Sequence, residues 1–298
     1  MESSSHGPAV ERALLTAELR RLRQISGKRQ QDVARDCEWS VSKFTRIENG
    51  TSPVTKTDLE ALLRYYGVTD PDILAEWTAR ARHAREKGWW ENEGFEVTDR
   101  AFEAYLGYEE GASSIRTYQF AIPGLLQVPK YTRILLEAYR VSPEVIERQI
   151  RLRQERQRHV ADRSPEQVYI LDESALVRPV GDVMPEQLRH LVNVARKPNV
   201  AIHVIPFSRG LHTGLRGPFV LLGFDVSLDS VLYLESARRS DLFIAETKEQ
   251  VSNPGTPTVD NPSEEVGMYE DDFSHLLEIS LAPDESVKYI EKVVRDLN

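Results

Sequence analysis

The chain has 298 residues, 40% of them hydrophobic, which allows one large domain or two ordinary ones with real cores. Its net charge of −9 looks adverse to nucleic-acid binding but divides unevenly: residues 9–66 hold 11 Lys and Arg against 8 Asp and Glu, and residues 86–298 hold 24 against 35. One cysteine excludes an internal disulfide framework, no stretch reaches the roughly 18 apolar residues of a membrane span, and Met1-Glu2-Ser3-Ser4-Ser5 lacks a signal peptide's apolar run, so a cytoplasmic protein without membrane contact is expected.

In chain order, Leu14, Leu15, Leu19, Leu22 and Ile25 form a helical stripe within residues 9–26. Residues 26–50, SGKRQQDVARDCEWSVSKFTRIENG, then read as two short helices joined by a tight turn. That layout presents one helix to the major groove of double-stranded DNA. Val33, Ala34 and Cys37 share one face of the first helix, and Val41, Phe44 and Ile47 share one face of the second. Ser40 suits the N-cap of the second helix and Gly50 its C-terminal stop. The outward face is then Ser42, Lys43, Thr45, Arg46 and Asn49, side chains able to reach phosphates and base edges. Leu59, Leu62, Leu63 and Tyr66 give a further helix, with Thr55, Thr57 and Asp58 at its start. Residues 9–68 are thus expected to be an all-α helix-turn-helix bundle.

This segment, over residues 10–67, resembles the phage repressor and Cro class, the xenobiotic-response-element (XRE) family. The resemblance implies that Gln30 opens the first motif helix and contacts a phosphate. It implies that Val41, Ser42 and Arg46 read bases, and that Asn49 and Gly50 grip phosphate. Two departures stand out: Arg29 replaces a hydroxyl N-cap, and Glu38 replaces a turn glycine. Glu38 in a left-handed turn costs about 1 kcal/mol, unless the turn differs. It also faces a polyanion poorly, and Lys28 and Arg29 are expected to compensate on phosphate.

Residues 69–112 read as a helical linker rich in aromatics (Trp77, Trp89, Trp90, Phe95, Phe102, Tyr105, Tyr108). Residues 113–298 read as a larger α/β domain with a mixed sheet, making the whole chain α+β. Strands are expected at 115–122, 168–171, 200–205, 219–224, 231–234 and 242–245. Helices are expected at 131–139, 143–160, 185–196, 273–280 and 284–297. Residues 251–272, with Pro254, Pro257, Pro262 and an acidic run, read as a mobile loop. The arginine-rich run 148–163 places Arg148, Arg151 and Arg158 near one helical face. A solvated helix is expected there, with an acidic partner or a second nucleic-acid contact as alternatives.

Asp172 and Glu173 follow a strand, where carboxylates can serve acid–base chemistry, but no H-E-x-x-H, G-x-S-x-G or G-x-x-x-x-G-K occurs. His203 is alone in its strand, and the loop with Gly210, Gly214 and Gly217 lacks a phosphate loop's strand–loop–helix context. No enzyme, catalytic residue, metal or cofactor is expected. Asp172, Arg178, His212 and Glu235 remain a tentative partner or ligand site.

The phrases IPGLLQVPKYTR (122–133), LDESALVRPVG (171–181), QLRHL (187–191), VIPFSRGLHTGLRGPFVLL (204–222) and YLES (233–236) resemble the C-terminal domain of the actinobacterial WhiJ-like regulators. That resemblance implies transcriptional control, an antitoxin-like C-terminal domain and a small BldB-like partner protein. The expected function is a sequence-specific DNA-binding repressor acting as a homodimer. The alternatives are an antitoxin-like protein-interaction module and a small-molecule sensor using the C-terminal cleft.

Overall fold

The computed structural model describes residues 6–226, 228–236, 239–245, 249–253 and 258–297. Five helices form the N-terminal bundle: α1 (Pro8–Ile25), α2 (Gln30–Asp36), α3 (Val41–Glu48), α4 (Lys56–Tyr65) and α5 (Pro71–His83). Local signals set their starts. Pro8 and Pro71 occupy first turns, and the Ser40, Thr55 and Asp70 side chains accept orphan backbone N–H groups of α3, α4 and α5. Leu15, Leu19, Val33, Ala34, Phe44, Ile47, Leu59, Leu62, Leu63 and Trp77 fill one core. Leu14 packs into the sheet core instead, and two further stripe residues face solvent: Ile25 is 70% exposed and Val41 is 44% exposed. Each is a terminal residue of its helix, beyond the last packed turn.

The expected linker divides between two cores. Trp77 and Ala81 of α5 complete the bundle core, whereas α6 (Trp89–Asn92) and α7 (Arg100–Glu109) pack on a sheet.

That sheet has seven strands: β1 (Ser114–Gln119), β2 (Glu166–Asp172), β3 (Val200–Ile205), β4 (Phe219–Gly223), β5 (Val231–Ser236), β6 (Arg239–Ile244) and β7 (Glu249–Ser252). Their order is β3-β2-β1-β4-β5-β6-β7. β1, β2 and β3 are mutually parallel, and the rest are antiparallel. Parallel neighbours need crossovers. α8 (Pro129–Ala138) and α9 (Pro143–Arg163) supply the first, and α10 (Ser174–Val177) and α11 (Met184–Val194) the second. Strand alternation sends Val220 and Leu222 to the face packed by α7, and Phe219 and Leu221 to the face packed by α12 (Pro262–Ile279). α13 (Pro283–Asp296) packs beside α11 on β3.

The chain is therefore α+β, an all-α helix-turn-helix bundle followed by a mixed-sheet domain. The expected loop at 251–272 is corrected. Strand β7 runs through Ser252, and α12 begins at Pro262, eleven residues before the expected Phe273. Pro262 and the acids Glu264 and Glu265 lie in the first turn of α12, where proline and negative charge favour a helix start. Residues 254–257 of that expected loop lie outside the described residues.

α1 joins the two cores. Val10, Ala13 and Leu14 pack with Tyr105, Leu106, Val220 and Leu222, while Leu15 and Leu19 enter the bundle core. α1 and α7 approach closely enough to require glycine. A Cβ on Gly107 would lie 2.8 Å from Ala9 Cβ, and one on Gly111 would lie 2.5 Å from Val10 Cγ2. No described helix is long and apolar enough to cross a membrane.

Candidate nucleic-acid interface

The turn between α2 and α3 explains the departure at Glu38. Glu38 adopts φ +57°. Trp39 N–H donates to Ala34 O at 2.7 Å and Glu38 N–H donates to Arg35 O at 3.1 Å. This pair of bonds is a Schellman stop, whose left-handed residue is ordinarily glycine. The turn is left-handed at Glu38, which carries the strain. Glu38→Gly is expected to raise stability by about 1 kcal/mol. Thermal unfolding of the full chain checks this, and a lower midpoint would mean that the Glu38 side chain makes a stabilising contact.

The start of α2 explains the departure at Arg29. Its backbone N–H donates to Asp32 Oδ2 at 3.2 Å, so the third helical residue caps α2 where the hydroxyl is missing. That bond holds the Asp32 carboxyl below its usual range. The Arg29 side chain is 83% exposed, and Lys28 beside it is also exposed.

α3 presents Val41, Ser42, Arg46 and Asn49 to solvent. Ser40 Oγ accepts from Lys43 N–H at 3.1 Å and fixes the first turn. Arg46 Nη1 donates to Ser42 Oγ at 2.8 Å, which sets the guanidinium along the exposed face. After α3, Gly50 turns the chain at φ +75°, and Ser52 N–H donates to Arg46 O at 3.1 Å.

Three expected DNA contacts are engaged inside the bundle. Lys43 lies sideways: its Nζ is 2.7 Å from Asp58 Oδ1 on α4 and 4.2 Å from the Trp39 ring centroid. Thr45 Oγ1 donates to Gln30 Oε1 at 3.1 Å, and Gln30 Nε2 donates to Glu48 Oε2 at 2.5 Å. Gln30 therefore braces α2 against α3, with one amide N–H left over. The hub is Glu48, 1% exposed, whose Oε1 lies 2.6 Å from Arg23 Nε. Arg20 Nη2 also donates to the Glu48 carbonyl at 3.2 Å. Sequence reasoning missed Glu48 and Arg23.

In the larger domain the four tentative residues do not form one cluster. Asp172 and His212 meet, with Nε2 3.5 Å from Oδ2 and both side chains buried. Asp172 Oδ1 also accepts from Ser174 N–H at 2.8 Å. Arg178 is exposed just after α10. Glu235 is exposed on β5, which β1 and β4 separate from β2, about 14 Å at ordinary strand spacing. Around His212, the buried Tyr118 hydroxyl, His212 Nδ1 and Thr213 Oγ1 have no hydrogen-bond partner among the described residues. Burial raises the Tyr118 phenol above its ordinary range.

The arginine run splits. Arg148, Arg151 and Arg158 are exposed, and Arg158 pairs with Glu93 at 3.0 Å and Glu155 at 2.7 Å. Those two carboxylates and His159 have ligand atoms within 4.8 Å of one another, but the carboxylates already face a cation. Arg156 turns inward instead. It makes a bidentate pair with Glu109, Nε to Oε1 at 2.7 Å and Nη2 to Oε2 at 2.8 Å.

The N-terminal fold and its exposed basic helix define a helix-turn-helix protein, and residues 14–77 match the helix-turn-helix domain family. This supports a DNA-binding regulator. Residues 102–292 match the domain of unknown function (DUF5753), and the chain belongs to that family. No curated protein and no solved structure matches the chain.

Proposed function

We propose that the protein is a sequence-specific transcriptional repressor that binds DNA as a homodimer under the control of a small protein partner held by its C-terminal domain. The observation that carries the DNA-binding reading is the division of labour on α3. Ser42, Arg46 and Asn49 are exposed, while Glu48 at the end of the same helix is buried and held by Arg23 and Gln30. A rigidly seated helix with short polar groups and one arginine outward is what base reading in the major groove requires. The charge division supports this, since the acidic domain is repelled by DNA and leaves the approach to the bundle.

Repression, an antitoxin-like C-terminal domain and a BldB-like partner rest on the resemblance to the WhiJ-like regulators. In this reading the chain is not an enzyme, and Asp172 serves as an anchor for His212. A second reading, a small-molecule sensor, is favoured by the unpaired polar atoms of Tyr118, His212 and Thr213.

Selection of binding sites from a random duplex library tests the first reading. Two half-sites about one helical turn apart are expected. Arg46→Ala should then cost about 1–3 kcal/mol and relax one base position. An unchanged selected sequence would remove α3 from the recognition role.

A further inference from the structure

Five of the twelve large apolar side chains that are exposed among the described residues lie at one edge of the sheet: Phe120, Val177, Phe207, Leu211 and Leu215. Phe120 follows β1, Val177 ends α10 after β2, and the other three lie between β3 and β4. Because β1, β2 and β3 are parallel, their carboxyl ends share that edge. Bonds between the connections hold the arrangement. Ser174 Oγ donates to Phe120 O at 3.2 Å, and Phe207 N–H donates to Glu173 Oε2 at 2.7 Å. The His212–Asp172 contact pins the loop between Leu211 and Leu215. Leu211 is 93% exposed, which leaves nearly a whole leucine side chain available for burial. Apolar groups gathered in this way mark a protein contact.

The exposed charge at this edge is mainly basic, although residues 86–298 as a whole are acidic. Arg178 and Arg209 are exposed there, and Arg216 reaches Asp272 only at 3.5 Å. The nearby acids are shielded or ion-paired: Asp172 is buried against His212 and Ser174 N–H, Glu173 is part-buried and accepts from Phe207 N–H and the Tyr289 hydroxyl, and Asp182 pairs with Lys130 at 2.9 Å. A second copy docked through the same face would set arginines against arginines. Nucleic acid would meet the arginines but leave Leu211 and Leu215 uncovered.

We infer that this edge docks an acidic protein, whose apolar side chains cover Leu211 and Leu215 and whose carboxylates meet Arg178 and Arg209. The inference rests on the partner-controlled reading above and gives it a surface. The polar atoms of Tyr118, His212 and Thr213 that lack a hydrogen-bond partner among the described residues lie below this loop and fit a surface that is completed on docking.

The test places a photo-crosslinking phenylalanine at Leu211 of the full chain in its host cell. The captured species is then purified and its binding to the unmodified chain is measured. The expected result is an acidic protein whose affinity falls at least tenfold for Leu211→Asp and for the pair Arg178→Glu and Arg209→Glu. Both surface variants should retain the parent thermal midpoint. Capture of another copy of this chain, of nucleic acid or of a basic protein overturns the inference. So does a captured protein whose affinity ignores both variants. If Leu211 captures nothing while a probe at Arg151 on α9 captures a partner, the surface is wrong and partner control stands. If neither probe captures a protein, both fail.

Discussion

Glu109→Ala is expected to destabilise the protein by about 3–5 kcal/mol, the cost of leaving a buried charge without its partner. The stranded group is the Arg156 guanidinium, whose side chain is 10% exposed and which makes both of its charge-assisted bonds to Glu109. Its remaining neighbours are weak substitutes. The Tyr105 hydroxyl is 3.3 Å from Nη2, and the Phe102 and Tyr105 ring centroids are 5.6 Å and 5.2 Å away. Water has little room to enter between α7, α9 and the sheet. The double variant Glu109→Leu with Arg156→Met separates lost pairing from lost packing. An apolar replacement of both partners should recover most of the deficit. Urea denaturation of the three proteins checks this. A Glu109→Ala loss below 1 kcal/mol would show that solvent already reaches the guanidinium.

That pair also shows where sequence reading stops. The helix-turn-helix segment was legible because its signals act within a turn or two: Phe44 and Ile47 at a spacing of three, Ser40 before them and Gly50 after. Strands β1 to β6 were legible as β-branched and aromatic runs. β7, Glu-Gln-Val-Ser, carries only one apolar residue, and its place is fixed by β6 rather than by its own composition. The first half of α12 was hidden because Pro262, Glu264 and Glu265 read as loop composition, although they are start signals. The burial of Val266, Phe273 and Leu276 along one face was the available clue. Arg156 was indistinguishable from Arg151 or Arg158 by type, and its partner lies 47 residues away. Long-range charge pairs leave no local trace, so a run read as solvated held one residue central to a core.

α1 belongs to the same class of hidden feature. Its stripe reads as one apolar face, yet Val10, Ala13 and Leu14 serve the sheet core and Leu15 and Leu19 the bundle core. Farther along the same helix, Arg20 and Arg23 hold Glu48 at the end of α3. A single helix thus touches the sheet domain at one end and α3 at the other. The glycines at 107 and 111 make the first contact close, and the buried carboxylate makes the second one directional.

Glu48→Ala is accordingly expected to damage specific DNA binding although Glu48 offers nothing to DNA. The carboxylate is 1% exposed and joins three elements: Arg23 of α1 at 2.6 Å, Gln30 of α2 at 2.5 Å, and its own helix α3. Its removal takes the carboxylate from the Arg23 guanidinium, whose side chain is 16% exposed and which keeps a bond from Nη1 to Lys28 O at 3.0 Å, and frees Gln30, the brace that also holds Thr45. The stability cost is about 3 kcal/mol. The binding cost arises because base contacts tolerate only about 0.5 Å of misplacement from their supporting residues. At least a tenfold loss of operator affinity is expected, about 1.4 kcal/mol. Non-specific affinity and its salt dependence should stay near the parent values, because the exposed cations Lys28 and Arg29, proposed above to meet phosphate, keep their side chains. Anisotropy titrations against the selected operator and a scrambled duplex, at two salt concentrations and below the unfolding transition, separate these terms. Equal losses on both duplexes would assign Glu48 to bundle stability alone. A loss confined to the operator makes it the residue that seats the recognition helix.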